Sequence, residues 1–113
     1  MKVEKPWGHE IRWAINDKYL GKILHINKGH RLSKQYHEVK DETIYVLSGK
    51  LQVFVGPKDI ELHIPEGHAL RIKPKEIHRF CAGFDTDVRL VEVSTPEIDD
   101  VIRLEDDYDR KES

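Results

Sequence analysis

The sequence predicts an all-β fold whose sheets close on each other as a sandwich or a barrel, and three observations carry that prediction. Short segments with alternating polarity or β-branched and aromatic residues recur along the 113 residues, turn-forming residues separate them, and no stretch sustains a helical period. Taken in order, HEIRWAI (9–15) ends at Asn16-Asp17, which turns the chain into YLGKILHI (19–26). TIYVLS (43–48) stops at Ser48-Gly49-Lys50, LQVFV (51–55) at Gly56-Pro57-Lys58-Asp59, and IELHI (60–64) at Pro65-Glu66-Gly67. ALRI (69–72) and VRLVEV (88–93) follow. The three turns are close enough to their flanking strands to predict adjacent antiparallel hairpins. Helical character is limited to a turn near Leu104 to Asp109, and the last residues, DRKES, are expected to fray. With no helix to cover a sheet, the apolar faces must meet each other.

Composition narrows the function. A 38% hydrophobic, 35% charged chain of this length fits one soluble domain, 1–113, with a modest core. Its 19 basic and 21 acidic residues are well mixed, so no basic face for nucleic acid is expected. No apolar run approaches the roughly 20 residues of a membrane helix, so no membrane partner is expected either. Cys81 is the single cysteine, and MKVEKPWGHE lacks the apolar centre of a signal peptide. Both features point to a reducing cytoplasm.

Chemistry is concentrated between Gly29 and Gly49. Gln35 and His37 share a face if the chain there is extended, because residues two apart on a strand point the same way. Glu42 opens the next strand in phase with Ile44 and Val46, which puts a carboxylate among apolar neighbours. A bound cation is one common compensation for such a burial. His78 follows the KPKEI turn and shares its face with Phe80. Two imidazoles, a carboxylate and an amide oxygen suit one divalent ion of the zinc, manganese, iron, cobalt or nickel type better than calcium. The remaining histidines, His9, His25, His30, His63 and His68, are assigned to surface or rim positions.

These residues carry a resemblance. Gly29, Gln35, His37, Glu42 and Gly49 stand at spacings similar to the first signature motif of the cupin superfamily, with Gln in place of its first His. IKPKEIHRF, 72–80, resembles a degenerate second motif that lacks the usual glycine. Lys5-Pro6-Trp7-Gly8 with Glu10, then Lys22, Arg31-Leu32-Ser33 and Lys40, and finally DDVIRLEDDYDR at 99–110, together resemble the cupin domain of type II mannose-6-phosphate isomerases. In that family Gln is itself usual at the position of Gln35. An Arg at the position of Arg103 is followed there by Asp-x-Tyr-x-Arg, here Asp106, Tyr108 and Arg110. The resemblance does not extend to the guanylyltransferase domain often fused ahead of this module, so nucleotide-sugar synthesis is not expected of these residues.

The resemblance implies a single cupin, a double-stranded β-helix or jelly-roll barrel, holding its metal on Gln35, His37, Glu42 and His78. It implies a sugar phosphate as the small-molecule partner, catalytic roles for Arg103 and Lys22, and substrate-binding roles for Arg31 and Tyr108. The activity implied is aldose-ketose isomerisation of the mannose 6-phosphate to fructose 6-phosphate type. A non-catalytic sugar-binding or sensory cupin and a metal-dependent oxygenase are the alternatives, because a fold alone does not fix a function. Exposed strand edges favour pairing, so a homodimer is expected.

Overall fold

The computed structural model describes residues 1–108, so the fraying expected of DRKES, and Arg110 with it, lie outside the described residues. Eleven strands follow one another: β1 (Lys2–Lys5), β2 (Gly8–Ile15), β3 (Leu20–Ile26), β4 (Lys34–Tyr36), β5 (Glu42–Ser48), β6 (Leu51–Val55), β7 (Ile60–Ile64), β8 (Ala69–Ile72), β9 (His78–Ala82), β10 (Val88–Ser94) and β11 (Ile102–Glu105). Among the described residues there is no helix, and none therefore long and apolar enough to cross a membrane. The expected helical turn near Leu104 is replaced by β11, which pairs with β4.

The strands form two antiparallel sheets, one in the order β1-β2-β3-β10-β5-β8 and the other β11-β4-β9-β6-β7. Alternation decides which side chains face inward. Along β5 the pattern buries Glu42, Ile44 and Val46, and along β10 it buries Val88, Leu90, Glu92 and Ser94. The first sheet contributes Leu24, Ile26, Ile44, Val46, Ile72, Val88 and Leu90 to the core, and the second contributes Leu51, Val53, Phe80 and Ala82. Each fully buried aliphatic side chain stabilises the fold by roughly 1.5–3 kcal/mol. This packed layer occupies one part of the barrel. Charged side chains line the rest.

The turns at 48–50, 56–59 and 65–67 predict three hairpins, of which the structure forms one, between β6 and β7; β1–β2 and β2–β3 are hairpins too. Strand β5 instead pairs with β10 and β8, while β6 pairs with β9. The turns at 48–50 and 65–67 are therefore corners at which the chain passes from one sheet to the other. The reason is burial: a flat hairpin of β5 and β6 would leave Val46 and Val53 without a facing layer, whereas switching sheets sets them against each other's side of the core. Gly49 makes the first corner with φ +82°, and a Cβ there would lie 2.3 Å from the Asp87 carbonyl oxygen.

Candidate metal centre and its cavity

Three segments bring the candidate ligands together. His37 directly follows β4, His78 is the first residue of β9, and Glu42 is the first residue of β5 in the facing sheet. Gln35 pairs with His78 across β4 and β9. The KPKE turn is docked on this region, because the Lys75 amide donates to the His37 carbonyl at 2.6 Å. Lys75 adopts φ +68° to do so.

His37, Glu42 and His78 are all buried, and one ligand atom from each lies within 4.8 Å of the others. The Nε2 atoms of His37 and His78 stand 3.5 and 3.3 Å from Glu42 Oε1. Both imidazoles are held from behind: His37 Nδ1 donates to the Asp100 carbonyl, and His78 Nδ1 donates to the Glu76 carbonyl at 2.9 Å. That fixes the tautomer, since a neutral ring with its proton on Nδ1 presents a lone pair at Nε2. Neither Nε2 has a hydrogen-bond partner. Two imidazole lone pairs and a carboxylate oxygen thus converge without a proton between them, an arrangement that repels itself unless a cation sits in the middle. The donor set, two nitrogens and an oxygen, suits a borderline divalent ion. Gln35 lines the same cavity, and its amide oxygen accepts a hydrogen bond from Ser33 Oγ at 2.6 Å. That oxygen retains a second lone pair for a metal.

Behind the ligands lies a buried charge chain. Lys40 Nζ is 3.4 Å from Glu42 Oε2 and 2.9 Å from Glu92 Oε2. Burial alone would lower the Lys40 pKa, but Glu92 and Glu42 outweigh it and hold the ammonium charged. Burial would likewise raise Glu42; the His37 and His78 side chains set against it and the charge of Lys40 outweigh that and hold it well below the usual carboxylate range. Glu92 goes the other way, pushed up by burial and by the neighbouring Glu42 charge.

A further clamp comes from the chain's C-terminal part. The Asp100 carboxylate accepts the backbone amides of Glu38 at 3.0 Å, Val39 at 2.8 Å and Lys40 at 2.9 Å. Through its carbonyl and its side chain, Asp100 holds both His37 and the loop that leads from His37 to Glu42.

Gln35, His37 and Glu42 open onto a cavity of about 360 Å³, whose lining does not include His78. Lys22 and Arg103 both line it, Arg103 from β11 opposite Gln35 and Lys22 from β3. Lys22 Nζ is 3.2 Å from Glu10 Oε2. Trp7 is buried in the core cluster and also contributes to the wall. Arg31 and Tyr108 are not among the lining residues. Arg31 forms a two-pronged pair with Asp107, at 2.7 and 3.0 Å, and Tyr108 Oη lies 2.7 Å from His30 Nδ1. These contacts join Asp107 and Tyr108 to Arg31 and His30. Glu92, Arg12 and Asp100 are the residues that sequence reasoning missed. For Glu92 a signal existed: it stands in phase with Val88 and Leu90, so the alternation that buries them buries it too.

Residues 1–106 match the family model described as mannose-6-phosphate isomerase C-terminal. The alginate biosynthesis protein AlgA of Pseudomonas aeruginosa and the xanthan biosynthesis protein XanB of Xanthomonas campestris pv. campestris are each 30% identical over 112 residues. The match takes in 96% of this chain but 23% and 24% of those proteins, so the chain spans about a quarter of the length of the curated relatives it matches. A solved structure from Klebsiella pneumoniae, an uncharacterized conserved protein with a double-stranded β-helix domain, has a TM-score of 0.73 at 20% identity, over 83% of each chain. That likeness shows the fold, the double-stranded β-helix of cupins. On the family match, the chain belongs to the mannose-6-phosphate isomerase C-terminal family.

Proposed function

We propose that this chain is a metal-dependent sugar-phosphate isomerase that interconverts an aldose and a ketose, of the mannose 6-phosphate to fructose 6-phosphate type. The observation that carries the reading is the pair of buried Nε2 lone pairs that converge with Glu42 beside a cavity rich in cations. The relatives' names place those proteins in alginate and xanthan biosynthesis, which supports carbohydrate chemistry for the shared module.

A divalent ion held by His37, Glu42, His78 and Gln35 would supply a Lewis acid for the carbonyl and the adjacent hydroxyl of an open-chain sugar. Isomerisation moves a proton from C2 to C1 and a second proton from the C2 hydroxyl to the C1 oxygen, by way of an enediol. Glu92 lines the cavity, and burial raises its proton affinity, which suits a group that takes up and returns a proton. Lys40 is held charged and stabilises negative charge beside Glu42, while Arg103 offers a guanidinium to the developing enediolate from the other sheet. Apolar Leu24, Leu32 and Phe80 in the same wall limit water near the reacting carbons.

A coupled assay for mannose 6-phosphate to fructose 6-phosphate conversion, run with zinc, manganese, iron, cobalt and nickel in turn, tests the proposal. Turnover with at least one ion is expected. Saturable sugar-phosphate binding without turnover under any of them would replace the isomerase with a binding cupin.

A further inference from the structure

We propose that Ser33 is a positioning residue of the metal centre: its hydroxyl holds the Gln35 amide so that the oxygen is offered as fourth ligand, which favours oxygen-seeking ions such as manganese relative to zinc. The inference rests on the metal-dependent reading above and assigns a residue that controls which ion the centre takes.

Alternation puts Ser33, Gln35 and His37 on one face of the chain that enters and leaves β4. The backbone just before Ser33 is fixed, because the Leu32 amide donates to the Phe80 carbonyl at 2.9 Å and the Leu32 carbonyl accepts from Arg79 Nε at 2.8 Å. Ser33 is 0% exposed, so water does not compete for its hydroxyl, which donates to Gln35 Oε1 at 2.6 Å. A buried hydroxyl on a tethered backbone thus marks one end of the Gln35 amide as the acceptor.

That mark matters because the two ends of an amide are alike in shape and opposite in chemistry. The oxygen carries two lone pairs, one for Ser33 and one for a cation; the NH2 end carries two donors. His37 Nε2, His78 Nε2 and the Glu42 carboxylate are acceptors gathered in one place, and they would draw the NH2 end of an unrestrained amide. Both imidazole nitrogens are nevertheless without a hydrogen-bond partner, so the Gln35 NH2 is not turned onto them. Turning the amide over would set its NH2 against Ser33 Oγ and leave a buried hydroxyl in search of another acceptor. Zinc is satisfied by three protein ligands and a water, whereas manganese favours oxygen donors. An oxygen held ready therefore counts for more with manganese, and Ser33 acts through Gln35 on the choice of ion.

The test is the affinity of wild type, Ser33→Ala, Gln35→Ala and Gln35→Glu for manganese, cobalt and zinc, measured by competition with a chromogenic chelator. Ser33→Ala is expected to weaken manganese by about tenfold and zinc by much less. It should add nothing in the Gln35→Ala background, the signature of a residue that acts through Gln35 alone. A carboxylate presents an oxygen whichever way it turns, so Gln35→Glu should make the centre insensitive to Ser33→Ala. The visible spectrum of the cobalt-loaded protein should change alike in Ser33→Ala and Gln35→Ala. Equal affinities in wild type and Ser33→Ala, or the same loss in the Gln35→Ala or Gln35→Glu background, overturns the role and leaves the centre standing. If wild type binds none of the ions, the role and the metal centre fall together. The expected affinities without turnover in the sugar-phosphate assay keep the role and reject only the isomerase.

Discussion

Replacing Asp100 with alanine removes one carboxylate that serves three backbone amides and leaves the acceptor carbonyl of His37 on an unanchored segment. A hydrogen bond contributes about 1 kcal/mol net, and rather more when the acceptor is charged. The bonds to Glu38 and Val39 are exposed to water, which replaces them in part, while the bond to Lys40 is partly buried. The expected loss of stability is therefore about 2–3 kcal/mol, a drop of about 1–2 M in the urea midpoint with little change in slope. Asp100→Asn keeps one acceptor oxygen and should lose about half as much. Because the same residue orients His37, divalent-metal affinity measured by competition with a chromogenic chelator should fall about 10- to 100-fold in Asp100→Ala. Wild-type stability together with wild-type metal affinity in that variant would refute the clamp. A loss of stability with unchanged metal affinity would refute only the orienting role.

Four further outcomes follow from the same geometry. Adding zinc, nickel or cobalt should raise the melting temperature of wild type, and Glu42→Gln should abolish the rise; a rise that persists would show that the metal binds elsewhere. Glu10 is held below its ordinary value despite its burial, by Lys22, Lys5 and Arg12, so its contribution to stability is present above about pH 4.5 and is lost as the pH falls through the lower folded value. Acid unfolding followed by fluorescence should be flatter in that window for Glu10→Gln, and an unchanged curve would contradict the pairing. Gly8 has φ +154°, and a Cβ there would sit 1.9 Å from the His25 carbonyl oxygen; Gly8→Ala should cost upward of about 3 kcal/mol or prevent folding, as read by chemical denaturation. Finally, the outer side of the first sheet exposes Trp13, Ile15, Tyr45, Leu47 and Val93, and we expect a second copy to cover it. A monomeric mass by light scattering would contradict that expectation.

Much of the fold was legible because alternation is a local signal. LQVFV, IELHI and ALRI coincide with β6, β7 and β8, and the phase of Glu42 with Ile44 and Val46 correctly placed a carboxylate inside. Strand β1 escaped notice because KVEK is short and charged, and KQY could be read as extended only conditionally; they become strands by pairing with β2 and with β9 and β11. The destination of each turn was equally hidden, since a glycine at positive φ bends the chain without saying which sheet receives the next strand. The same holds for the site. His37, Glu42 and His78 could be proposed together, whereas the Glu10 cluster depends on cross-strand register, which no spacing along the chain reveals. Arg31 and Tyr108 lie outside the cavity for a related reason: Arg31 bridges to Cys81 just ahead of β4, and its side chain meets Asp107.

The bond from His37 to Asp100 joins residues 63 positions apart. A chain leaving the ribosome exposes His37 and Glu42 long before Asp100 emerges, and β5 cannot complete its pairing until β10 arrives. The His-Glu-His centre is thus assembled only once strands far along the chain from His37 and Glu42 have arrived, by a route dominated by non-local contacts, which slows folding. A chain that ends before Asp100 would carry all the ligands and keep the bond from His78 to Glu76, but it would leave His37 without its carbonyl partner, so tight metal capture would serve as a signature of completed folding.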